Sequence, residues 1–368
     1  MRVLITGSEG FIGKNLAVRL REAGRHEVLS FVRGQDIHTL RHLLAQADAV
    51  VHLAGENRPA EVGAFDAVNT GLTEIICKSL TRLNSSIPVL FSSSTQAAID
   101  NPYGRSKLAA ERVLQALVRD GGNPVAVYRL PGVFGKWSKP NYNSVVATFC
   151  YNLSRGLPIQ VSNPDAPLSL VYIDDVISSI VRQLEEGILG YSTVQVEPVY
   201  KLSVGELASI VRGFEAARGA LFTERVGAGL VRALYATYIS YLPVDRFSYP
   251  VPQHSDPRGT FVEMIKTADS GQFSFFTAHP GVTRGGHYHH TKTEKFLVIK
   301  GEALFKFRNL VTDERVEVRT SGESPQIVDT IPGWVHDITN VGEQEMIVML
   351  WANEVFDRSN PDTVAGRV

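Results

Sequence analysis

Residues 2–13 read Arg-Val-Leu-Ile-Thr-Gly-Ser-Glu-Gly-Phe-Ile-Gly, and this stretch decides the fold of the first part of the chain. A short apolar strand runs directly into a turn with three evenly spaced glycines, and a helical pattern follows. Glycines at these places allow a tight turn, close approach of backbone to a pyrophosphate, and close packing of helix on strand. The helix N-terminus attracts the anion. The stretch predicts a dinucleotide-binding turn whose contacts are Gly7, Gly10, Phe11, Ile12 and Gly13.

The next two strands predict the rest of the cofactor site. The second strand, His26–Val32, is followed by Arg33, where an NAD site usually has Asp or Glu for the ribose 2′-hydroxyl. An arginine suits a 2′-phosphate, so we expect NADPH. The third strand, Asp48–Ala54, should end against the cofactor, because ligands bind at the carboxyl ends of parallel strands. Asn69 is then predicted to open a helix. The cofactor contacts expected from this region are Arg33, Leu53, Ala54, Gly55 and Asn69.

Short apolar strands continue to alternate with helical stretches. Further strands are predicted at Pro88–Phe91, Val125–Arg129 and Leu168–Asp175, with a helix at Asn141–Leu153 between the last two. Asp174 and Asp175 would then stand at the end of a strand. This alternation predicts an α/β Rossmann-type fold with a doubly wound parallel sheet.

Residues 92–107 carry the groups that point to catalysis, reading Ser-Ser-Ser-Thr-Gln-Ala-Ala-Ile-Asp-Asn-Pro-Tyr-Gly-Arg-Ser-Lys. Tyr103 and Lys107 would share one face of a helix, one turn apart. A neighbouring ammonium favours phenolate, so we expect the pKa of Tyr103 to lie below its usual value of about 10. Such a phenol can exchange a proton with a sugar oxygen, which Ser94 would hold. Ser93 is the alternative in register, and a surface pair without a role is the alternative for Tyr103 and Lys107.

Composition bounds the other functions. The chain has 368 residues, enough for two domains, and a net charge of −1, which argues against nucleic-acid binding. Cys77 and Cys150 are the only cysteines, so neither a disulfide scaffold nor a cysteine-based zinc site is expected. No signal peptide or membrane-spanning apolar run is evident, so we expect a soluble cytoplasmic protein.

A composition shift after Pro243 predicts a domain boundary, with domains at residues 1–243 and 244–368. Six of the ten histidines fall in the second part. Its short alternating runs predict strands and a small all-β sandwich or barrel. These runs are Phe261–Ile265, Phe296–Ile299, Ala303–Phe307 and Met346–Trp351.

Four side chains in the second part predict a metal site. His287 and His289 are two residues apart, so a strand would direct both to one face. Glu294 on the neighbouring strand and His336 would complete the set. Three imidazoles and a carboxylate suit zinc or another divalent transition metal. A histidine pair alone is more often unmetallated, so the prediction depends on the whole set.

The first part resembles the extended short-chain dehydrogenase/reductases. The resemblance rests on the glycine turn, the serine cluster, the Tyr103/Lys107 pair and Arg129-x-Pro-Gly-Val-Phe-Gly135. It implies Ser94 as catalytic serine, Tyr103 as acid/base and Lys107 as ribose-binding lysine, acting on nucleotide-activated sugars. Only eight residues separate Ser94 from Tyr103, fewer than in many relatives, which puts the shape of the sugar pocket in doubt.

The second part resembles metal-binding cupins, which are jelly-roll barrels. Gly281-x5-His287-x-His289-x4-Glu294-x6-Gly301 fits the first cupin motif. Gly333-x2-His336-x3-Asn340 fits the second, although Ile331 stands where proline is usual. This resemblance implies one divalent metal, with Zn²⁺ preferred.

Two stretches are similar to deoxysugar 3,5-epimerases of the cupin superfamily. They are Asp256-x-Arg258-Gly-x-Phe261-x-Glu263 and Val282-Thr-Arg284-Gly-Gly-His287. The likeness implies that Arg258 and Arg284 hold a nucleotide diphosphate. His287 takes the place of the base in those enzymes yet is expected to be a metal ligand here, so the base stays open among Tyr288, His290 and Lys292.

The whole chain resembles the CapF-type bifunctional enzymes of UDP-N-acetyl-L-fucosamine precursor synthesis in capsule and O-antigen clusters. The stretches that carry it are Asn101-Pro-Tyr-Gly, Phe134-Gly-Lys-Trp, Lys139-Pro-Asn-Tyr-Asn-Ser-Val and Glu294-Lys-Phe-Leu-Val. It implies C3 epimerisation of a UDP-2-acetamido-2,6-dideoxy-4-hexulose, then NADPH-dependent C4 reduction to an L-talose-type product, in a homodimer. The alternative is an NAD(P)-dependent sugar-nucleotide epimerase or dehydratase with a non-catalytic, sugar-binding or dimerising cupin.

Overall fold

The computed structural model describes residues 1–57, 65–251, 254–256, 259–261, 266–267, 271–354, 359 and 361–368. These residues form two compact units, one of residues 1–144 with 168–201 and one of residues 145–167 with 202–368. Residues 202–243 therefore group with the second unit, although the shift in composition comes after Pro243. The boundary between residues 243 and 244 stays a prediction.

The helices of the described residues follow the periodic stretches of the sequence. They are α1 (Phe11–Glu22), α2 (Ile37–Gln46), α3 (Gly71–Arg82), α4 (Pro102–Gly121), α5 (Val145–Leu153), α6 (Ile173–Glu186), α7 (Val204–Ala220) and α8 (Gly229–Ser240). Short helical turns lie at Asp66–Thr70, Thr95–Ala98 and Val244–Arg246.

Strands occupy both units. In the first part of the chain they are β1 (Arg2–Thr6), β2 (Glu27–Phe31), β3 (Ala49–His52), β4 (Val89–Ser94), β5 (Val125–Leu130), β6 (Gly132–Phe134), β7 (Pro167–Tyr172), β8 (Tyr191–Val194) and β9 (Tyr200–Ser203). In the second part they are β10 (Phe222–Thr223), β11 (Ser248–Pro250), β12 (His254–Asp256), β13 (Gly259–Phe261), β14 (Lys266–Thr267), β15 (Gln272–Ala278), β16 (Thr283–Tyr288), β17 (Glu294–Lys300), β18 (Glu302–Asn309), β19 (Arg315–Ser321), β20 (Gln326–Asp329), β21 (Trp334–Asn340), β22 (Met346–Ala352) and β23 (Val364–Ala365).

The first unit is built on a six-stranded parallel sheet with the order β2-β1-β3-β4-β5-β8. Its strands are apolar because helices cover both faces, and Val3, Leu4 and Ile5 of β1 are fully buried. The strand order reverses between β1 and β3, which is the switch point where such sheets bind ligands. The predicted Rossmann-type sheet is confirmed.

Two local predictions in the first unit were wrong. Strand β7 ends at Tyr172, and Asp174 and Asp175 lie in the first turn of α6. Carboxylates are favoured there by the partial positive charge of the helix N-terminus. Asn69 belongs to the turn Asp66–Thr70 that precedes α3 and does not begin that helix.

The second unit contains two five-stranded antiparallel sheets. One has the order β11-β20-β17-β22-β15 and the other β19-β18-β21-β16-β23. These paired sheets confirm the predicted all-β cupin-type architecture. Of the four predicted strands, those beginning at Phe296, Ala303 and Met346 lie inside β17, β18 and β22, whereas residues 262–265 lie outside the described part.

A buried ion cluster joins helix α7 to the sheets of the second unit. Lys295 Nζ lies 2.6 Å from Asp329 Oδ1, and Arg218 of α7 donates to Asp329 Oδ2 at 2.9 Å. Lys295 and Asp329 are each 2% exposed, so the cations compensate the burial of the carboxylate. These contacts lie within one compact unit and explain why α7 groups with the sheets.

In the part of the chain that the structure describes, no helix has both the length and the apolar character needed to cross a membrane.

Candidate functional site

The glycine turn after β1 has the geometry that a dinucleotide site needs. Gly7 has a φ of +72°, and a Cβ there would lie 2.9 Å from the Cα atom of Ala54. A Cβ on Gly13 would lie 2.2 Å from the carbonyl oxygen of Gly7. Both positions therefore exclude larger residues, because the loop after β3 and the first turn of α1 approach the glycine turn too closely.

The start of α1 leaves hydrogen-bond donors for a ligand. Gly10 is the N-cap residue and supplies no capping side chain, and Phe11 and Ile12 form the first turn. The hydroxyl of Ser8 is buried and has no hydrogen-bond partner among the described residues. A pyrophosphate suits both features, since it accepts bonds from backbone N–H groups and from a hydroxyl. The turn thus fits the expected cofactor, and Ser8 is a candidate contact that the sequence prediction missed.

Arg33 follows β2 at the same edge of the sheet. Its guanidinium donates to Glu56 Oε2 at 2.7 Å, while 85% of the side chain is exposed. Glu56 also accepts from the hydroxyl of Tyr142 at 3.1 Å. Arg33 is therefore accessible to a ligand from solvent. A 2′-phosphate that bound Arg33 would compete with the carboxylate of Glu56.

Ser94 and Tyr103 meet at the carboxyl end of β4. Ser94 is the last residue of the strand, and its hydroxyl accepts from the N–H of Gln96 at 3.1 Å. Tyr103 lies in the first turn of α4, whose N-cap Asn101 accepts from Gly104 N. Burial raises the pKa of Tyr103, and a hydrogen bond with Ser94 acts in the opposite direction. Ser94 thus lies beside the phenol of Tyr103, and its role in holding a substrate oxygen stays a prediction.

Lys107 lies one helical turn after Tyr103, as expected, but its influence on the phenol was predicted wrongly. Its Nζ donates to the carbonyl of Ser92 at 2.8 Å and lies 6.0 Å from the centroid of the Tyr103 ring. Burial lowers the pKa of Lys107 to about 8, against the opposing effect of Glu111. The expected lowering of the Tyr103 pKa by Lys107 is absent, because burial dominates and the ammonium is directed to the backbone carbonyl.

The structure distinguishes the two serines between which the sequence left a choice. Ser93 and Ser94 are successive residues of β4, so their side chains point to opposite faces of the strand. Ser93 donates to Glu111 Oε1 at 2.5 Å. Arg129 binds the same carboxylate with two bonds, of 3.0 and 2.6 Å. Ser93 is thus engaged in a buried ion-pair network, and Ser94 is the serine beside the tyrosine. Glu111, four residues beyond Lys107 on α4, was missed although this spacing was a readable signal.

A second missed residue, His52, ties the cofactor loop to the sheet. Its Nε2 lies 3.0 Å from the hydroxyl of Thr73, which donates to the carbonyl of Asn69. Thr73 must therefore accept from Nε2–H, which leaves Nδ1 to accept from Thr6 at 2.7 Å. Burial and the charge of Lys107 lower the pKa of His52 to about 3, so the ring is neutral.

Asn69 connects this loop to the catalytic helix. Its side-chain oxygen accepts from Glu56 N at 2.8 Å, and its amide donates to Ser106 Oγ at 3.0 Å. A Cβ on Gly55 would lie 2.8 Å from Asn69 Oδ1 and 3.2 Å from Lys107 Nζ. Gly55 therefore lies close to Lys107, and the expected cofactor contacts of Leu53, Ala54 and Gly55 stay predictions.

The four predicted metal ligands come together in the second unit. One nitrogen or oxygen atom from each of His287, His289, Glu294 and His336 lies within 4.8 Å of the others. His287 of β16 is paired in register with His336 of β21, whereas Glu294 begins β17 in the other sheet. Glu294 was expected on the strand adjacent to His287, so that part of the prediction was wrong. The cluster spans two sheets because both face a common interior.

The electrostatics of the cluster suit a divalent cation. Burial and the neighbouring imidazoles lower the pKa of His287 to about 4, and burial also lowers that of His336. The pKa of Glu294 lies well below its usual value: burial would raise it, but the adjacent imidazoles of His289 and His336 outweigh that effect. Neutral imidazoles beside an ionised carboxylate are the protonation states that bind metal. Both ring nitrogens of His336 lack a hydrogen-bond partner among the described residues, which also fits a ligand there.

Lys292, one of the three residues considered as bases, contacts the cluster. Its Nζ is 3.3 Å from Glu294 Oε1. Tyr288 and His290 are buried, with ring centroids 5.6 Å apart. Arg284 is exposed on β16 and donates to the carbonyl of Thr277 at 3.1 Å. The side chain of Arg258 lies outside the described residues, so both arginines remain predictions as diphosphate ligands.

Comparisons with known proteins agree with both parts of this description. The NAD dependent epimerase/dehydratase family matches residues 3–192, and the polysaccharide biosynthesis C-terminal domain matches residues 254–364. A UDP-2-acetamido-2,6-beta-L-arabino-hexul-4-ose reductase from Pseudomonas aeruginosa is 58% identical over 365 residues, which cover 99% of this chain and 98% of the relative.

Solved structures are similar over the same range. The capsular polysaccharide assembling protein CapF from Staphylococcus aureus is 41% identical, with a TM-score of 0.69 and coverage of 100% of both chains. UDP-glucuronic acid 4-epimerase from Bacillus cereus is 18% identical, with a TM-score of 0.52, covers 59% of this chain and 84% of its own, and supports the fold alone. The chain therefore belongs to the NAD dependent epimerase/dehydratase family and, over its whole length, to the CapF-type proteins that join such a domain to a polysaccharide biosynthesis C-terminal domain.

Proposed function

We propose that this protein is a bifunctional sugar-nucleotide enzyme of surface polysaccharide synthesis. Its substrate is a UDP-2-acetamido-2,6-dideoxy-4-hexulose, which the second unit epimerises at C3 and the first unit reduces at C4 with NADPH. The product is a UDP-2-acetamido-2,6-dideoxy-L-talose-type sugar. The observation that carries the proposal is the grouping of Ser94, Tyr103 and Lys107 beside the glycine turn, in a chain whose relative in Pseudomonas aeruginosa is named a reductase of such a hexulose.

The reduction needs a hydride and a proton. NADPH, when bound, supplies the hydride to C4. Tyr103 donates the proton to the C4 oxygen, which Ser94 holds by a hydrogen bond. Lys107 binds the ribose from its position beside Gly55 and Ser92. The ketone becomes an alcohol, and Tyr103 recovers its proton from solvent.

The epimerisation uses the acidity of the C3 proton. That proton lies next to the 4-ketone, so the charge left by its removal spreads onto the carbonyl oxygen. A divalent cation held by His287, His289, Glu294 and His336, preferably Zn²⁺, would supply Lewis acidity to that carbonyl. Removal of the proton from one face and its return on the other inverts C3. Lys292, whose Nζ lies 3.3 Å from Glu294 Oε1, is a candidate for the group that exchanges a proton on one of these faces, and Tyr288 and His290 stay candidates for the other.

Chemistry fixes the order of the two steps. Reduction at C4 destroys the ketone that makes the C3 proton acidic, so epimerisation comes first. The fusion of the two parts in one chain fits consecutive steps on one intermediate. Both the homodimer and the NADPH preference belong to this proposal, the second because Arg33 replaces the acidic residue usual in NAD sites.

The test is proton NMR of the UDP-4-hexulose incubated with the full-length protein in D₂O. We expect deuterium at C3 before any cofactor is added, and a reduced C4 alcohol after NADPH, with slower reduction after NADH. Consumption of NADPH without exchange would leave the second unit with a binding role only. Conversion without net NADPH oxidation would favour the alternative, an epimerase or dehydratase that retains its cofactor.

A further inference from the structure

The end of the chain lies along the strand that carries the first metal ligand. β23 pairs antiparallel with β16, with Ala365 opposite His287 and Val364 opposite Tyr288. Gly366 N continues the pairing by donating to the carbonyl of Gly286 at 2.9 Å. The C-terminal residues 361–368 are thus a fixed part of the sheet next to the cluster.

Asp362 of this segment binds the turn between β16 and β17. Its carboxylate accepts three consecutive backbone N–H groups, from His290 at 2.9 Å, Thr291 at 2.6 Å and Lys292 at 2.7 Å. The hydroxyl of Thr291 adds a fourth bond at 3.0 Å. Successive N–H groups that converge in this way form a strong anion site. Burial would raise the pKa of Asp362, but these N–H bonds lower it below its usual value, so the carboxylate is ionised.

The backbone carbonyl of Asp362 contacts the second metal ligand. It accepts from Nδ1 of His289, and because a carbonyl cannot donate, Nδ1 must carry the proton. Nε2 then carries the lone pair, and it lies 3.2 Å from Glu294 Oε2, inside the cluster. An outer hydrogen bond of this kind fixes both the tautomer and the ring orientation of a metal-binding histidine.

We propose that Asp362 is a positioning residue of the metal centre, whose carboxylate holds the 290–292 turn and whose carbonyl directs Nε2 of His289 toward the ion. The inference rests on the proposed metal site. It assigns the C-terminal segment to the site, because one residue fixes both a ligand and the turn that leads to Glu294.

The experiment compares Zn²⁺ affinity of the full-length protein with that of Asp362→Asn, by competition with a chelating dye. An amide keeps the size of the side chain but loses the charge that binds three N–H groups. Loss of such an outer partner should weaken Zn²⁺ binding by about 10–100-fold. The visible spectrum of the Co²⁺-loaded protein should change as well, since it reports ligand geometry. Asp245→Asn, an exposed aspartate of the same unit, is the control and should bind as the unchanged protein does.

One further variant tests the same contact independently of Asp362→Asn. Thr291→Val removes only the hydroxyl bond to Asp362, so it should weaken Zn²⁺ binding by a smaller factor even if Asp362→Asn fails to fold. Unchanged affinity and Co²⁺ spectrum in a folded Asp362→Asn would overturn the positioning role and leave the proposed function standing. Absence of metal binding in the unchanged protein would overturn both.

Discussion

The two sites of this protein are assembled in opposite ways. Ser94, Tyr103 and Lys107 come from one continuous stretch, the end of β4 and the start of α4. The metal cluster joins β16 and β21 of one sheet to β17 of the other. A contiguous site depends on local geometry, whereas the cluster requires both sheets to be in place. We therefore expect changes in the second unit to leave the Ser94/Tyr103/Lys107 site intact. Changes in either sheet should disturb the geometry of the cluster.

The largest expected effect separates the two sites chemically. Tyr103→Phe removes the proton donor and should slow reduction by about 10²–10⁴-fold, the usual contribution of a general acid. Exchange at C3 in D₂O should continue unchanged, because no residue of the second unit is altered. NADPH oxidation and deuterium NMR on the same sample measure the two activities. Tyr191→Phe, at the start of β8, is the matched control, and loss of both activities in Tyr103→Phe would contradict the division between units.

A substitution in the cluster should have the opposite effect on the two activities. His289→Ala removes the Nε2 atom, one of the four proposed metal ligands. The amount of bound metal and the rate of C3 exchange should therefore both fall by at least about 10-fold. Reduction of a ketone already epimerised at C3 should continue, which NADPH oxidation would show. Metal content measured by atomic emission gives a readout independent of turnover. His42→Ala, at an exposed histidine of α2, is the control, and full exchange by metal-free protein would refute the role of the cation.

A smaller effect concerns the charge on Lys107. Because burial lowers its pKa to about 8, the ammonium loses its proton as pH rises through that value. The neutral amine holds the cofactor less well, so kcat/KM for NADPH should fall several-fold above about pH 8, since this ratio reports the free enzyme. Lys107→Arg keeps its charge over that range and should remove the decline even if its overall activity is lower. Persistence of the same decline in that variant would assign it to another group.

Buried charge shows the same contrast between the two units. Glu111 is compensated by Arg129 and a serine from the adjoining strands, all close to the reductase site. Lys295 of β17 and Asp329 of β20 form an ion pair between adjacent strands. Arg218, from a helix distant in sequence, also donates to Asp329. In both units an unpaired partner would leave a costly buried charge. The difference is that the first network stabilises a site directly, and the second holds a helix against the sheets.

Much of the protein follows from the sequence because its decisive signals are short and steric. The glycine turn is predictable since Gly7 and Gly13 leave no room for a Cβ. The shared face of Tyr103 and Lys107 follows from helical spacing, and the spacing of the histidines and Glu294 indicates which side chains form the cluster. The glycine turn and the Tyr103/Lys107 pair depend on residues that are close together in the chain. The cluster spans both sheets, but the spacing of its residues along the chain still indicated it.

Only the tertiary structure decided the remaining points, because each depends on what surrounds a side chain. Ser93 faces Glu111 while Ser94 meets Tyr103, a choice that the run of three serines left open. Burial raises the pKa of Tyr103, whereas the sequence predicted a lowered value. A spacing of four residues does not reveal how deeply a side chain is buried. Asp362 reaches His289 from the end of the chain, and no local pattern could predict that contact, because strand pairing alone brings the two residues together.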